Sequence, residues 1–216
     1  MVFSRGGELV RDGRYQFDSP QARQALKLMQ EQIKEGTAEL MSGPYGDQEE
    51  FVVGSSLFMI RSSSGLPFVR SAVEEGGPSF NWQVAPPPYS GDRPVMNVYG
   101  ASLSVCRASA EQELASWLFL KWFTAPAQQA RWAKASNYFP VRHSMEKELD
   151  AYFDQFPRYR IVFELLPFGK PEPNMAGYQV VRRKVEQVMV EVARGADIDQ
   201  VLERLDREAN ATIGGH

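Results

Sequence analysis

The run Val98-Tyr-Gly-Ala-Ser-Leu-Ser-Val105, followed by Trp117-Leu-Phe-Leu-Lys-Trp-Phe-Thr124, decides the fold class of this chain. The first segment alternates apolar with small or polar side chains, which predicts a strand with Gly100 and Ala101 in its interior. The second segment belongs to a helix with a broad apolar face, and Ser109 can cap that helix. A strand that leads into a helix predicts a mixed architecture.

The same alternation continues toward the N-terminus. Ser19 can cap a helix in which Pro20 takes the first position and Gly36 marks the end. Ahead of it, turn dipeptides predict a short hairpin within residues 1–17. Behind it, we expect a helix over 47–53, a buried strand Leu57–Ile60, a helix over 66–75 and a strand over 80–85.

The C-terminal half is helical. Thr124 and Pro126 predict the start of a further helix, and a helix-rich region runs from 145 to 156. A proline-rich connector then leads to a long helix from Asn174 to Arg194, and Asp197 caps a last helix. Strands alternating with helices indicate an α/β or α+β chain with a helical tail.

Composition excludes several functional classes. The chain has 216 residues, 43% of them hydrophobic and 12% aromatic, so it can form a real core and is not a disordered chain. The net charge is −3, from 24 basic and 27 acidic residues, and supplies no bulk attraction for nucleic acid. We therefore expect no nucleic-acid partner.

The residues that catalysis or metal binding would need are scarce. The sequence holds one cysteine, Cys106, and two histidines far apart, which cannot form a metal cluster or a nucleophile–base pair. Cys106 ends an apolar strand, and we interpret it as buried packing. We expect no enzyme activity, no metal and no cofactor.

Polar loops and aromatic residues at element ends are the better candidates for a binding site. Ser63, Ser64 and Gly65 follow the predicted strand Leu57–Ile60, where hydroxyl and N–H groups can meet a ligand, although this stretch taken alone favours simple capping of the next helix by Ser63 or Ser64. Tyrosines in such positions suit stacking on sugar rings, although interior packing explains any one of them. They are Tyr99, Tyr138 and Tyr178.

Taken in order, these segments resemble the family 1 extracellular solute-binding proteins of ABC importers, which include maltose-binding and glycerol-3-phosphate-binding proteins. The resemblance runs from Gly6 to about Ala211. Its motifs are Gly6-Gly-Glu-Leu9, Phe17-Asp-Ser-Pro20, Phe51-Val-Val-Gly54, Phe58-Met-Ile60, Ser63-Ser-Gly65, Tyr99–Val105, Trp117–Thr124 with Trp132, and Asn137-Tyr-Phe-Pro-Val-Arg142.

The resemblance implies a type II periplasmic-binding-protein-like α/β fold whose two lobes close on a solute in a cleft. It implies hydroxyl and N–H donors from Ser63, Ser64 and Gly65, and close backbone approach at Gly100 and Ala101, next to Tyr99. It implies a phenol from Tyr138 and a stacking ring from Tyr178.

The nature of the solute follows less directly. The glycerol-phosphate type would have a basic residue near Gln179, whereas Arg182 and Arg183 come one turn later. This departure favours a neutral sugar or polyol and leaves a glycerol-3-phosphate-type ligand as the alternative.

Family members are about twice as long as this sequence, which resembles their C-terminal half. Residues 1–95 and 140–216 would belong to the C-terminal lobe, and 96–136 would return to the N-terminal lobe. The aromatic side chains of 96–136 would then be exposed, because most of the N-terminal lobe that would bury them is not in this sequence. We therefore expect a homo-oligomer. A truncated fragment that binds no solute and only self-associates is the competing hypothesis.

The resemblance also implies a partner and a location. The full-length parent would deliver its solute to a membrane permease and would act outside the cytoplasm, in the periplasm or as a lipoprotein. The first residues, Met1-Val-Phe-Ser-Arg-Gly-Gly7, lack a charged region followed by an apolar one, so we expect no signal peptide in this sequence.

Overall fold

The computed structural model describes residues 1–41, 43, 45–76 and 80–213. They form two compact units, which we describe separately. Unit 1 comprises Met1–Gly43, Pro86–Val98 and Phe168–His216; unit 2 comprises Pro44–Ala85 and Tyr99–Pro167. The predicted lobes, 1–95 with 140–216 and 96–136, refer to a longer fold, and that assignment stays a prediction.

Helices follow one another in runs along the chain, and short strands separate these runs. The helices are α1 (Pro20–Lys34), α2 (Gly46–Val52), α3 (Leu66–Gly76), α4 (Ala110–Phe123), α5 (Pro126–Ser136), α6 (Glu146–Gln155), α7 (Pro157–Glu164), α8 (Tyr178–Ala193) and α9 (Ile198–Ala211). The strand β1 (Val10–Arg11) pairs antiparallel with β2 (Arg14–Tyr15), and β3 (Met96–Val98) runs parallel to β4 (Gly169–Pro171).

Three of the helix starts that the sequence predicts from capping residues are confirmed. The Ser19 hydroxyl accepts a hydrogen bond from the backbone of the first turn of α1. Ser109 and Gln112 form a reciprocal capping box at α4. Asp197 accepts from the backbone N–H of Gln200 at 2.9 Å and begins α9. Each cap acts within four residues, which is why the sequence alone reveals it.

Other helix boundaries differ from the prediction. Thr124 closes α4, its hydroxyl donating to the Leu120 carbonyl at 2.8 Å, and α5 starts at Pro126. The region predicted as helix-rich, 145–156, corresponds to α6, whereas the proline-rich connector that follows contains a further helix, α7, which starts at Pro157. The helix α8 begins at Tyr178 rather than Asn174, because Gly177 has a left-handed backbone with φ of 73°.

The core of unit 1 lies where α1, α8 and α9 meet the N-terminal hairpin. Apolar residues recur at helical spacing on α8 and α9, and removing these faces from water stabilises the unit. The buried residues are Tyr15, Phe17, Ala22, Val181, Val188, Val192, Val201, Leu202, Leu205 and Ala209.

Side chains of α9 hold the N-terminal hairpin. The Asn210 amide donates to the Tyr15 carbonyl and accepts from the Tyr15 N–H, both at 3.0 Å. The Phe17 N–H donates to the Asp206 carboxylate at 2.7 Å. The Asn210 side chain thus bonds the backbone of β2 as a neighbouring strand would.

Unit 2 has its own core, where α5, α6 and α7 meet. Aromatic rings of α6 and α7 pack closely, with Tyr152 edge-on to Tyr159 at 5.2 Å between ring centres. Such contacts add to the area buried. The buried members of this core are Ala130, Ala133, Met145, Leu149, Phe153 and Tyr159.

The strands predicted in unit 2 are wrong. Residues 57–60, 80–85 and 99–105 are irregular, and the strand predicted for 98–105 ends at Val98. A strand needs a ladder partner, and none of the described residues pairs with these segments. The side chains of Leu57 and Phe58 are 83% and 85% exposed, and Cys106 is exposed rather than buried.

The segment 80–85 is held by side chains instead of a ladder. The Arg158 guanidinium lies 4.0 Å from the Trp82 ring centre and donates to the Trp82 carbonyl at 2.8 Å. Trp82 in turn meets Phe51 edge-on. This cation–π contact holds a segment that has no strand partner among the described residues.

The Asn210 contacts make a testable prediction about unit 1. We expect Asn210→Ala to lower the free energy of unfolding by about 1–3 kcal/mol, because it leaves both backbone groups of buried Tyr15 without partners. Urea unfolding followed by circular dichroism measures it. Glu203→Ala changes an exposed position on the same helix and should shift stability by no more than about 0.5 kcal/mol. Equal losses in the two variants would contradict the assigned role of Asn210.

Candidate functional site

The Ser63–Gly65 segment forms a single 3₁₀ turn that runs directly into α3. The Gly65 N–H donates to the Ser62 carbonyl at 2.9 Å. The Ser64 hydroxyl lies 3.0 Å from that of Ser62, and among the described hydrogen bonds neither Ser63 nor Ser64 caps α3 through its hydroxyl. These partly exposed hydroxyls stand beside the start of a helix, where donors to a ligand are available.

Asn137 joins this turn to the loop that carries Tyr138. Its backbone is left-handed, with φ of 59°, and ends α5; its side chain is 5% exposed. The side-chain amide donates to the Ser63 carbonyl at 2.9 Å. Two segments that the sequence predicts as ligand contacts, 74 residues apart, are therefore tied together by one buried amide.

The side chain of Tyr159 also holds the loop that carries Tyr138. Its hydroxyl donates to the Tyr138 carbonyl at 3.2 Å, and burial raises the pKa of this phenol, so it stays protonated. The Tyr138 ring itself is about half exposed. The carbonyl is held while the phenol of Tyr138 remains available to a ligand.

Tyr99, Gly100 and Ala101 lie in the irregular segment that follows β3. All three are exposed, and a Cβ on Gly100 would meet nothing within 4 Å. Their placement in a strand is wrong, because β3 ends at Val98. Their predicted role as ligand contacts stays a prediction.

Tyr178 lies in unit 1, at the first position of α8. Its ring packs against the unit 1 core and is partly buried. Burial raises the pKa of its phenol, as do the negative charge of Glu172 and the neighbouring Tyr15, whereas Arg182 opposes the rise. The protonated hydroxyl of Tyr178 can donate and accept hydrogen bonds at neutral pH.

Polar side chains gather around Glu172 near this tyrosine. The Asn97 amide donates to the Glu172 carboxylate at 3.3 Å, and the Arg182 guanidinium lies 3.7 Å from the same oxygen. No sequence pattern predicts Asn97 or Glu172 as part of a site. Glu172 lies in the proline-rich connector, and its neighbours in the sequence do not distinguish it from a glutamate on the solvent-exposed surface.

A half-open hollow in unit 1 lies away from this group. It holds about 250 Å³ between α8 and α9. Its charged groups already pair with one another: Lys184 with Glu208 at 2.6 Å, and Arg204 with Glu191. The hydrogen bond from Lys184 lowers the pKa of Glu208. Because these charged side chains pair with one another, we interpret them as an ion-pair network that joins α8 to α9.

Two further kinds of feature are absent from the described part of the chain. We found no group of three or more His, Cys, Asp or Glu side chains arranged to hold a metal ion. Within the same residues, none of the helices has the length and hydropathy that crossing a bilayer requires.

Comparisons with known proteins identify the family. Residues 2–155 match the model of the bacterial extracellular solute-binding proteins, and this chain belongs to that family. The members of such a family are solute-binding transport proteins. No curated protein matches the chain.

Solved structures agree with the fold. The chain is similar to the sugar-binding protein MalE of Xanthomonas citri, with a TM-score of 0.83 and 21% identity over 98% of this chain and 54% of that one. It is similar to UgpB of Mycobacterium tuberculosis, solved with glycerophosphocholine, with a TM-score of 0.75 and 17% identity over 98% and 53%.

A third similar structure is the cyclic α-maltosyl-1,6-maltose-binding protein of Arthrobacter globiformis, with a TM-score of 0.72 and 19% identity over 100% of this chain and 54% of that one. This chain therefore spans about half the length of the structures it matches. The predicted fold, a periplasmic-binding-protein-like α/β arrangement, is confirmed.

The Asn137 contact leads to a prediction about unit 2. Asn137→Gly keeps the left-handed backbone and loses the bond to Ser63, so we expect a loss of about 1 kcal/mol in the free energy of unfolding. Asn137→Asp has the same shape but turns the donor into an acceptor that faces the Ser63 carbonyl. For this variant we expect the free energy of unfolding to fall by about 2–3 kcal/mol. Urea unfolding followed by tryptophan fluorescence compares them. If the aspartate variant were as stable as the parent chain, the amide would not hold the Ser63 turn.

Proposed function

We propose that this chain is the solute-capturing part of an ABC importer's binding protein, and that its ligand is a neutral sugar or related polyol. The observation that carries the proposal is the group around Tyr178 in unit 1: one partly buried ring, with a carboxylate, an amide and a guanidinium beside it. A ring face with a few aimed polar groups is the usual chemistry of a sugar site.

The polar groups suit hydroxyls in particular. A sugar hydroxyl both donates and accepts, so it can give a hydrogen bond to Glu172 while it takes one from Asn97 or Arg182. Hydrogen bonds that involve a charged partner are the stronger kind. Ser63, Ser64 and Gly65, and the phenols of Tyr99 and Tyr138, are the proposed contacts of unit 2, with Gly100 and Ala101 as proposed points of close backbone approach.

A glycerol-3-phosphate-type ligand is the alternative. The similarity to UgpB, solved with glycerophosphocholine, keeps it open. Against it stands the carboxylate of Glu172, which repels a phosphate and already lies beside the Arg182 guanidinium. The charge balance at Tyr178 therefore favours a neutral solute.

The remaining parts of the proposal come from the family. The proposed partner is the importer's membrane permease, and the proposed location is outside the cytoplasmic membrane, since the family is described as extracellular. We propose no catalytic activity. A chain that binds no solute by itself is the second candidate, favoured by its span of about half the matching structures.

A thermal-unfolding screen tests binding directly. The probes are mono- and disaccharides, maltotriose, glycerol 3-phosphate and glycerophosphocholine. A ligand at about 100 times its dissociation constant adds about 2.7 kcal/mol to stability, which raises the midpoint by several degrees. No shift with any probe, in a chain that unfolds cooperatively, would favour the non-binding candidate.

The role of Tyr178 is tested with the sugar that gives the largest shift. We expect Tyr178→Ala to lower the affinity for that sugar by about tenfold or more, because the ring face is lost. Tyr178→Phe should keep most of the affinity. Titration calorimetry gives the dissociation constants. Tyr89→Ala, an exposed tyrosine of unit 1, is the control and should leave affinity unchanged. Unchanged affinity in Tyr178→Ala would remove this residue from the site.

Glu172→Gln separates the two ligand classes. We expect sugar affinity to fall by about tenfold, because a charged acceptor becomes neutral, and affinity for glycerol 3-phosphate to rise by a few-fold, because a repulsive charge is removed. Glu186→Gln, at an exposed position of α8, makes the same change in net charge and is the control. A fall in affinity for both probes would contradict the preference for a neutral ligand.

A further inference from the structure

Buried polar side chains hold the loop 137–142, which carries Tyr138. The side chains of Asn137 and Tyr159 are 5% and 2% exposed, and they donate to backbone carbonyl groups at 2.9 Å and 3.2 Å. Breaking such a bond leaves a buried group without a partner, which costs more than the bond itself contributes. The start of the loop is therefore fixed within unit 2.

Gln129 of α5 holds the other end of the loop. Its side chain is 1% exposed, and its oxygen accepts a hydrogen bond from the Val141 N–H at 3.1 Å. Its NH₂ group donates to the Phe123 carbonyl, at the end of α4, at 2.9 Å. Both polar atoms of this buried amide are bonded to backbone, so the loop is anchored at both ends.

Tyr138 is fixed through its backbone while its ring is left exposed. Its N–H donates to the Ser136 hydroxyl at 3.2 Å, and its carbonyl accepts from the Tyr159 hydroxyl. The ring itself is about half exposed. With both backbone polar groups bonded, the direction in which the phenol leaves the loop is set before any ligand arrives.

We propose that Asn137 and Tyr159 are positioning residues of the solute site. They hold the Ser63 turn and the Tyr138 loop as one preformed surface, and they act through these segments rather than on the solute. This inference rests on the proposed function. A solute that meets preformed donors does not have to order them, so the loss of either bond should lower affinity.

The packing of Tyr159 explains its ring but not its hydroxyl. The ring lies 5.5 Å from that of Phe139 and 6.0 Å from that of Phe153 between centres. A phenylalanine at position 159 would keep both contacts without the cost of removing a hydroxyl from water. Among the described hydrogen bonds, the hydroxyl serves the Tyr138 carbonyl. Its contribution is therefore directional: it sets the position of that carbonyl.

A double-mutant cycle tests the role of Tyr159. The probe is the sugar that gives the largest shift in the thermal screen, and titration calorimetry of the full chain gives the dissociation constants. We expect Tyr138→Phe, which removes the proposed contact, to lower affinity about tenfold, and Tyr159→Phe to lower it about threefold. In the double variant we expect no further loss beyond that of Tyr138→Phe, because no phenol is left to position.

A second cycle tests Asn137. Asn137→Gly keeps the left-handed backbone and removes the bond, and Ser63→Ala removes the proposed hydroxyl contact but keeps the carbonyl that Asn137 holds. We expect losses of about fivefold each, and a loss in the double variant well below their product.

Tyr152→Phe is the matched control for Tyr159→Phe. Tyr152 packs against the same core, and the described hydrogen bonds of the loop do not include its hydroxyl. Its affinity should stay within about twofold of the parent value. Circular dichroism melts establish that every variant is folded at the temperature of the titrations.

Four outcomes would overturn the inference. Parent affinity in both Tyr159→Phe and Asn137→Gly would remove the positioning role and leave the proposed function standing. Losses that multiply in the double variants would have the same meaning, because they would show a general effect on the fold. An equal loss in Tyr152→Phe would also show a general effect. A parent chain that binds none of the probes would overturn the proposed function together with this inference.

Discussion

The packing of α8 against α9 is the interaction on which unit 1 depends. Val181, Val188 and Val192 of α8 are buried with Leu202 and Leu205 of α9. Because each apolar face is removed from water only by the other, neither helix is stable alone in this position. The hairpin is bonded to α9, and Tyr178 opens α8, so the position of the candidate sugar-stacking ring follows from this packing.

The sequence predicts most helices of this chain and few of its strands. The starts of α1, α4 and α9 depend on Ser19, Ser109 and Asp197, whose capping bonds reach only three residues along the chain. The segments 57–60 and 99–105 have strand-like composition, but a strand also needs a partner that the segment itself does not encode. Such a partner is absent from the described residues, so the composition alone misleads.

The candidate site shows the same division. Ser63, Tyr138 and Tyr178 can be proposed from the sequence because turns, aromatic residues and helix starts have local signatures, and their role as ligand contacts stays a prediction. Asn137 could be suspected as well, since a left-handed position after a helix favours Gly or Asn. Its bond to Ser63, and the pairing of Asn97 with Glu172, join residues more than 70 positions apart. No pattern within one segment predicts these contacts.

The attachment of β2 to α9 has a consequence for the order in which the protein forms during synthesis. Tyr15 and Asn210 are 195 residues apart, and their bonds require both to have left the ribosome. At about 5–20 residues per second, the N-terminal hairpin waits roughly 10–40 s for its partner. All residues of unit 2 lie between Tyr15 and Asn210 in the sequence, so they are synthesised during this wait. Its helices can therefore pack first, while the first segment of unit 1 remains without its core and open to chaperones.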